Sequence, residues 1–262
     1  MEAGPENLGA NDRFCQCESM PDGWMWRKRR ERAGAPVAVR ALATGEDAST
    51  IGHSARHCVA LPRPRHMVRF LSPAGYRSMR WKNGGGRTSE IASYPPGAAL
   101  DAFTWRVSIA DVGSDGAFSR FPGIDRTIVL LEGAGMRLTG DGCNDELRTP
   151  FAPYSFSGDD AIDCTLLGGT VRDFNAMFRR GEASGTVTVV RGDAAEFALC
   201  AFVLAYAATG AHDCAIPGHP LHTLHAGHAL LVERSLTSKA EPIAIKPSDS
   251  GAVALVVGID CP

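Results

Sequence analysis

Beyond residue 66 the chain is written in short apolar or alternating runs, broken by Gly, Pro, Asn and Asp. Runs of this length and period predict strands rather than helices. They are expected at Val68–Leu71, Glu90–Ser93, Thr104–Val112, Thr127–Glu132 and Met136–Thr139, with Gly133-Ala134-Gly135 as the hairpin turn between the last two. Further strands are expected at Thr149–Phe151, Asp163–Gly168, Gly185–Val190, Phe197–Ala207, Leu230–Glu233 and Ala252–Asp260. Only Asp173–Arg179 offers a helical reading, and it would make just about two turns. Many short strands at this spacing predict an all-β sandwich or barrel. The run Thr127–Gly133 resembles Ala226–Glu233 in outline, which fits two barrels side by side.

Residues 1–66 follow neither period. They hold a basic run, Trp26-Arg27-Lys28-Arg29-Arg30-Glu31-Arg32, and end in Pro62-Arg63-Pro64-Arg65. Ten of the 27 Lys and Arg lie there with eight of the 29 Asp and Glu, so the tail is mildly basic and the body mildly acidic. A disordered extension is expected, or one read from an upstream start with Met67 as initiator. Contact with nucleic acid and a targeting peptide are the alternatives, and Glu2, Glu6, Asp12 and Glu18 count against the second. A net charge of −2 gives no electrostatic reason for a nucleic-acid or anionic-membrane partner. The longest apolar candidate, Phe197 to Ala208, falls short of the roughly 20 residues a membrane helix needs. Eight cysteines without CxxC spacing or a secretory leader read as free thiols of a cytoplasmic protein. A metal grip by Cys15 and Cys17 with His53 or His57 is the alternative.

The most unusual stretch is Trp81-Lys82-Asn83-Gly84-Gly85-Gly86-Arg87-Thr88-Ser89-Glu90. Gly84 and Gly85 allow positive φ and close approach to a ligand; Asn83 offers a donor and an acceptor, Lys82 a charge, and Trp81 a flat wall. The order of a phosphate-binding GxxxxGK[ST] loop is absent. In Trp105-Arg106-Val107-Ser108-Ile109-Ala110, strand alternation puts Arg106 and Ser108 on the face opposite Trp105, Val107 and Ile109. A third cluster is Phe118-Ser119-Arg120-Phe121-Pro122-Gly123-Ile124-Asp125-Arg126, which by itself reads more readily as a rigid turn packed by two aromatics, with Asp125 and Arg126 exposed. A fourth, Gly168–Phe178, carries Asp173 and Asn175 two apart, on one face if extended.

These four blocks, at 81–91, 105–108, 118–126 and 168–177, resemble in order the signature blocks of the HutD/Ves family. The resemblance spans about Met67 to the C-terminus and is carried mainly by 67–180. It implies a bicupin, two cupin-like β-barrels of about 67–182 and 183–262. It also implies a small acidic metabolite such as N-formylglutamate as ligand and a regulatory role in histidine utilisation; the Ves branch is described as stress-related.

The residues fit that chemistry. Lys82, Arg106 and Arg126 would clamp carboxylates, Arg in bidentate fashion. Asn83, Thr88 and Ser108 would read an amide or formyl group, with Glu90, Asp125 and Asp173 orienting the cations. Metal-holding cupins use a His-x-His pair, a Glu and a third His. Residues 67–211 contain no histidine, and His219, His222, His225 and His228 recur every three residues in what reads as an exposed loop. No metal and no cofactor are therefore expected, and a homodimer is allowed. Ser108 and Ser119 have no histidine in their half to act as base, and no nucleophile elbow is present. The rival functions are an isomerase or hydrolase with Glu90 or Asp173 as general base, and an interaction protein whose glycine loop is only a turn.

Overall fold

The structure, a computed structural model, describes residues 66–140, 143–198, 200–235 and 241–262. The expectations for the first 65 residues, including Cys15, Cys17, His53 and His57, fall outside this range. In chain order the strands are β1 (His66–Leu71), β2 (Arg77–Arg80), β3 (Gly86–Tyr94), β4 (Trp105–Val112), β5 (Gly116–Ala117), β6 (Ile124–Glu132) and β7 (Met136–Gly140). Then follow β8 (Cys143–Leu147), β9 (Pro153–Ser157), β10 (Ile162–Leu166), β11 (Val171–Arg179), β12 (Ser184–Arg191) and β13 (Ala195–Phe197). The last are β14 (Phe202–Thr209), β15 (His212–Ala215), β16 (His222–Leu224), β17 (Ala229–Arg234), β18 (Ile243–Pro247) and β19 (Val253–Asp260). Among the described residues the one helical element is a 3-10 turn, Pro73–Gly75. None is a helix long and apolar enough to cross a membrane.

The strands form four antiparallel sheets, ordered β2-β3-β4-β11-β6-β9, β5-β10-β7-β8, β1-β17-β14-β19-β12 and β13-β18-β15-β16. Period-2 alternation sorts their side chains into three layers of core. One face of the six-stranded sheet, with Trp105, Val107, Val129, Phe174 and Phe178, packs on one face of the five-stranded sheet, with Phe202, Leu204, Leu231, Leu255 and Val257. Their opposite faces pack outward on the two four-stranded sheets, around Ile128, Leu130, Met136 and Leu138 in one half and Val203, Leu230, Ile245 and Val256 in the other. Two sandwiches thus share a central apolar seam. The long strands β4, β6, β11, β14 and β19 are buried on both faces, which is why their sequences read as nearly continuous apolar runs.

Four readings need correction. Asp173–Arg179 is strand, not helix, because β11 is hydrogen-bonded between β4 and β6. Thr149–Phe151 forms a turn rather than a strand, with Phe151 at φ 60°. The strand beginning at His66 pairs with β17, so it belongs to the sheet of the C-terminal half although a boundary near 182 assigned it to the first. Of the histidine-rich segment, His222–Leu224 is a short strand rather than loop, pairing with β15.

Candidate functional site

The interior of the N-terminal sandwich is not filled. The outward face of the six-stranded sheet carries a grid of polar side chains set by register. Ser108 lies between Glu90 and Asn175, Ala110 between Thr88 and Asp173, and Met177 between Arg106 and Arg126. These rows line one end of a cavity of about 570 Å³, within the size range of small-molecule sites. Loop residues Trp81, Lys82 and Asn83 and the turn Ala117–Phe121 close its sides, with Met79 and Leu100 adding apolar surface.

Two guanidiniums are buried in this wall, and they are treated differently. Arg106 is 4% exposed and its Nε donates to Glu90 Oε2 at 2.8 Å. Ser93 Oγ in turn donates to Glu90 Oε1 at 3.1 Å. Arg106 Nη1 also reaches Ser108 Oγ at 3.4 Å. A buried charge needs such a partner, and here the pair is complete within the protein.

Arg126 is 7% exposed and has no carboxylate within ion-pair distance among the described residues. Its guanidinium carbon sits 5.6, 5.4 and 4.7 Å from the ring centroids of Phe118, Phe121 and Phe156. Aromatic faces attract a cation without neutralising it. Nη1 donates to the Ser119 carbonyl at 3.2 Å, while Nε is buried with no partner among the described residues. Burial lowers its pKa to about 10, Asp173 opposing and Arg106 adding to the fall, so it stays a cation at neutral pH.

Asp173 is 3% exposed and lines the same cavity. Burial pushes its carboxyl up to about 7, with Arg126 opposing and Asp111 adding. Asn175 Oδ1 is also buried without a partner among the described residues. The cavity therefore presents a cation short of an anion, a carboxyl near its midpoint at neutral pH, and an unfilled amide acceptor. Unpaired buried polar atoms are rare in folded proteins and ask for a ligand or water.

Of the thirteen residues singled out from sequence, nine line this cavity: Trp81, Lys82, Asn83, Thr88, Arg106, Ser108, Arg126, Asp173 and Asn175. Trp81 is fixed by its indole N–H donating to Thr88 Oγ1 at 2.8 Å. Lys82 and Asn83 are exposed at the rim. Glu90 stands behind Arg106 instead of lining the cavity. Gly84 and Gly85 face a separate groove of about 650 Å³ beside Arg172, which is held by Asp111 and Glu132 at 2.7 and 3.0 Å.

The glycine run is a folded turn. Gly84 takes φ 72°, and a Cβ on Gly86 would stand 2.4 Å from the Asp111 carbonyl oxygen. Its glycines serve turn geometry and strand approach rather than contact with the cavity. Asp125 is the clearest correction. It neighbours Arg126 on a strand, so it points the other way, is exposed, and pairs with Arg180 at 2.6 Å. The same alternation overturns the reading of Arg126 as exposed.

Sequence reasoning missed the aromatic box as a box. The Phe118 and Phe121 spacing was visible; that they would close on Arg126 was not. Among the described residues no cluster of three His, Cys, Asp or Glu side chains could hold a metal ion.

Similarity to known proteins agrees with the motif blocks. The HutD family model matches residues 73–247. An uncharacterised 21.2 kDa Pseudomonas putida protein from the hutC 3′ region is 37% identical over 157 residues, 60% of this chain and 82% of the relative. Protein Ves of Citrobacter koseri is 40% identical over 110 residues, 42% of this chain, and the match spans only 56% of Ves. The solved structure of HutD from Pseudomonas fluorescens is 31% identical with a TM-score of 0.64, covering 75% of this chain and all of that one. Escherichia coli Ylba, at 8% identity and TM-score 0.51 over 76% of this chain and 92% of its own, shows the cupin-like fold alone. Fold, motif order and these relatives agree: the chain belongs to the HutD family, with Ves proteins among its kin.

Proposed function

We propose that this protein binds a small acidic metabolite, such as N-formylglutamate, in the N-terminal cavity and acts as a regulatory binder in histidine utilisation. We read its two sandwiches as paired cupin barrels of a cytoplasmic protein. The observation that carries the proposal is Arg126, a buried cation boxed by phenylalanines with one N–H unpartnered, facing a cavity of metabolite size. A carboxylate is the group that would complete it, by charge-assisted hydrogen bonds. The orphan Asn175 acceptor and Ser108 suit an amide N–H or hydroxyl, and Lys82 at the rim suits a second acidic group. The pathway follows from the names of relatives, one from a hutC region and one called HutD.

Calorimetric titration at pH 6 with N-formyl-L-glutamate and glutarate tests the reading. Saturable heat is expected in the wild type, reduced at least tenfold in affinity by Arg126→Met and several-fold by Lys82→Ala. No heat at millimolar concentration, or heat unaffected by both substitutions, would refute it.

A second reading is supported by Asp173 alone. A carboxyl titrating near 7 in a cavity is suited to general acid–base work, so the same mixtures should be followed by NMR for product. Glu90 suits that role less, being consumed by Arg106 and Ser93.

A further inference from the structure

The charges facing the cavity can be tallied element by element. From β4 comes Arg106, already neutralised by Glu90 of β3 at 2.8 Å. Asp111, also on β4, is bound to Arg172 at 2.7 Å. From β6 comes Arg126; from β11, Asp173. Cys164 of β10 packs over the same core, and burial holds its thiol up at about 12, so it stays protonated. Lys82 and, from β2, Arg80 also line the cavity, but both are exposed, so water screens their charges.

The buried balance therefore turns on Arg126 and Asp173. With the cavity empty, an ionised Asp173 is the carboxylate whose charge favours the Arg126 cation, although no contact within 4 Å joins them. An anion docking on Arg126 takes over that role. A second negative charge at Asp173 would then face the anion across a low-dielectric space, where like charges disfavour joint ionisation. Asp173 receives no hydrogen bond from the described residues that would hold it ionised against that repulsion.

We propose that the cavity takes up its anion together with one proton, which is held on the Asp173 carboxyl. The proton comes from solvent onto a carboxylate oxygen, and the neutral acid can then donate a hydrogen bond to the bound anion. This rests on reading the cavity as a site for a small acid. It adds that occupancy is coupled to pH, so that acidification strengthens binding to a dianion that does not itself titrate near neutrality.

The test uses the full chain and glutarate, with N-formyl-L-glutamate as second probe, titrated at pH 8 in HEPES and in Tris. The two buffers release protons with different heats, so the difference in observed enthalpy counts protons taken up. Uptake close to one per anion is expected at pH 8 and little at pH 6 with N-formyl-L-glutamate, whose two carboxylates both stay ionised there, with affinity falling about tenfold per pH unit above neutrality. Asp173→Asn should bind at pH 8 without uptake and with a flat pH profile. Saturable binding with no uptake in the wild type overturns the coupling and leaves the binding site standing. Uptake that persists in Asp173→Asn overturns the assignment to Asp173. Absence of binding at either pH removes the site and the coupling together.

Discussion

The two halves share an architecture and differ in what they put inside it. On the outward face of the five-stranded sheet, β14 presents Val203, Ala205 and Ala207, β17 presents Leu230 and Val232, and β19 presents Ala254 and Val256. The corresponding face of the six-stranded sheet presents Arg106, Ser108 and Ala110 from β4, Arg126, Ile128 and Leu130 from β6, and Asp173, Asn175 and Met177 from β11. Hydrocarbon fills the first interior, while polar groups at one end of the second keep it open. A charged side chain placed in a core must find a partner or leave room for one. The N-terminal half does the first for Arg106 and the second for Arg126. It gives up packed volume for a polar hollow, and the C-terminal half supplies the packing.

The largest expected effect tests whether the polar interior is paired by necessity. Glu90→Ala leaves Arg106 buried without its counter-ion and should cost about 3–5 kcal/mol in urea unfolding. The double variant Glu90→Ala, Arg106→Met should recover much of that loss, since an apolar pair needs no neutralisation. Recovery that fails would mean the pair contributes more than mutual neutralisation.

In the filled half, Leu230→Ala should cost about 2–5 kcal/mol by opening a cavity in close-packed hydrocarbon. Met177→Ala, at the edge of an existing hollow, should cost less by the same measurement. Equal losses would show the hollow to be packed in solution.

Next in size is a difference of sign in pH dependence. Asp173 has its folded pKa raised from 3.8 to about 7. The folded state then holds a proton that the unfolded state releases, so stability falls as pH rises from about 4 to about 7, by about 1.4 kcal/mol per unit at most. His212 in the filled half behaves oppositely. Its ring is fully buried with neither nitrogen partnered among the described residues, and burial lowers its pKa from 6.5 despite Asp249 and Asp213. The unfolded state takes the proton first, so its contribution is lost as pH falls below 6.5. Midpoints of urea unfolding across pH 4 to 8 should lose the decline on raising pH in Asp173→Asn and the decline on lowering pH in His212→Leu.

The smallest effect is expected at Asp125. Asp125→Asn should leave calorimetric affinity for glutarate unchanged, because the carboxylate faces Arg180 on the outside. A several-fold loss would bring it back into the site.

Much of the site could be read before the fold was known. The alternation of Arg106 and Ser108 against Trp105 and Val107, and the two-residue spacing of Asp173 and Asn175, already separate the faces of β4 and β11. Alternation applied to the neighbours Asp125 and Arg126 would also have divided them, had Ile124–Glu132 been read as one strand from its first residue. Short, largely exposed strands escaped notice. Cys143–Leu147 is an edge strand with few apolar residues to mark a period, and Pro153–Ser157, where Tyr154 and Phe156 alternate with serines, is an edge strand too short to carry that period far.

The sequence by itself determined the strand-rich class, the family, and which chemical groups were available for a site. Those follow from local period, turn chemistry and motif order, all of which act between near neighbours. Only the tertiary structure decided which groups meet. Register across β3, β4, β11 and β6 joins residues as far apart as Glu90 and Asn175, and the turn at Phe118 and Phe121 folds over Arg126. Pairing between distant strands is a cooperative choice of the whole core, and no stretch of chain carries it alone.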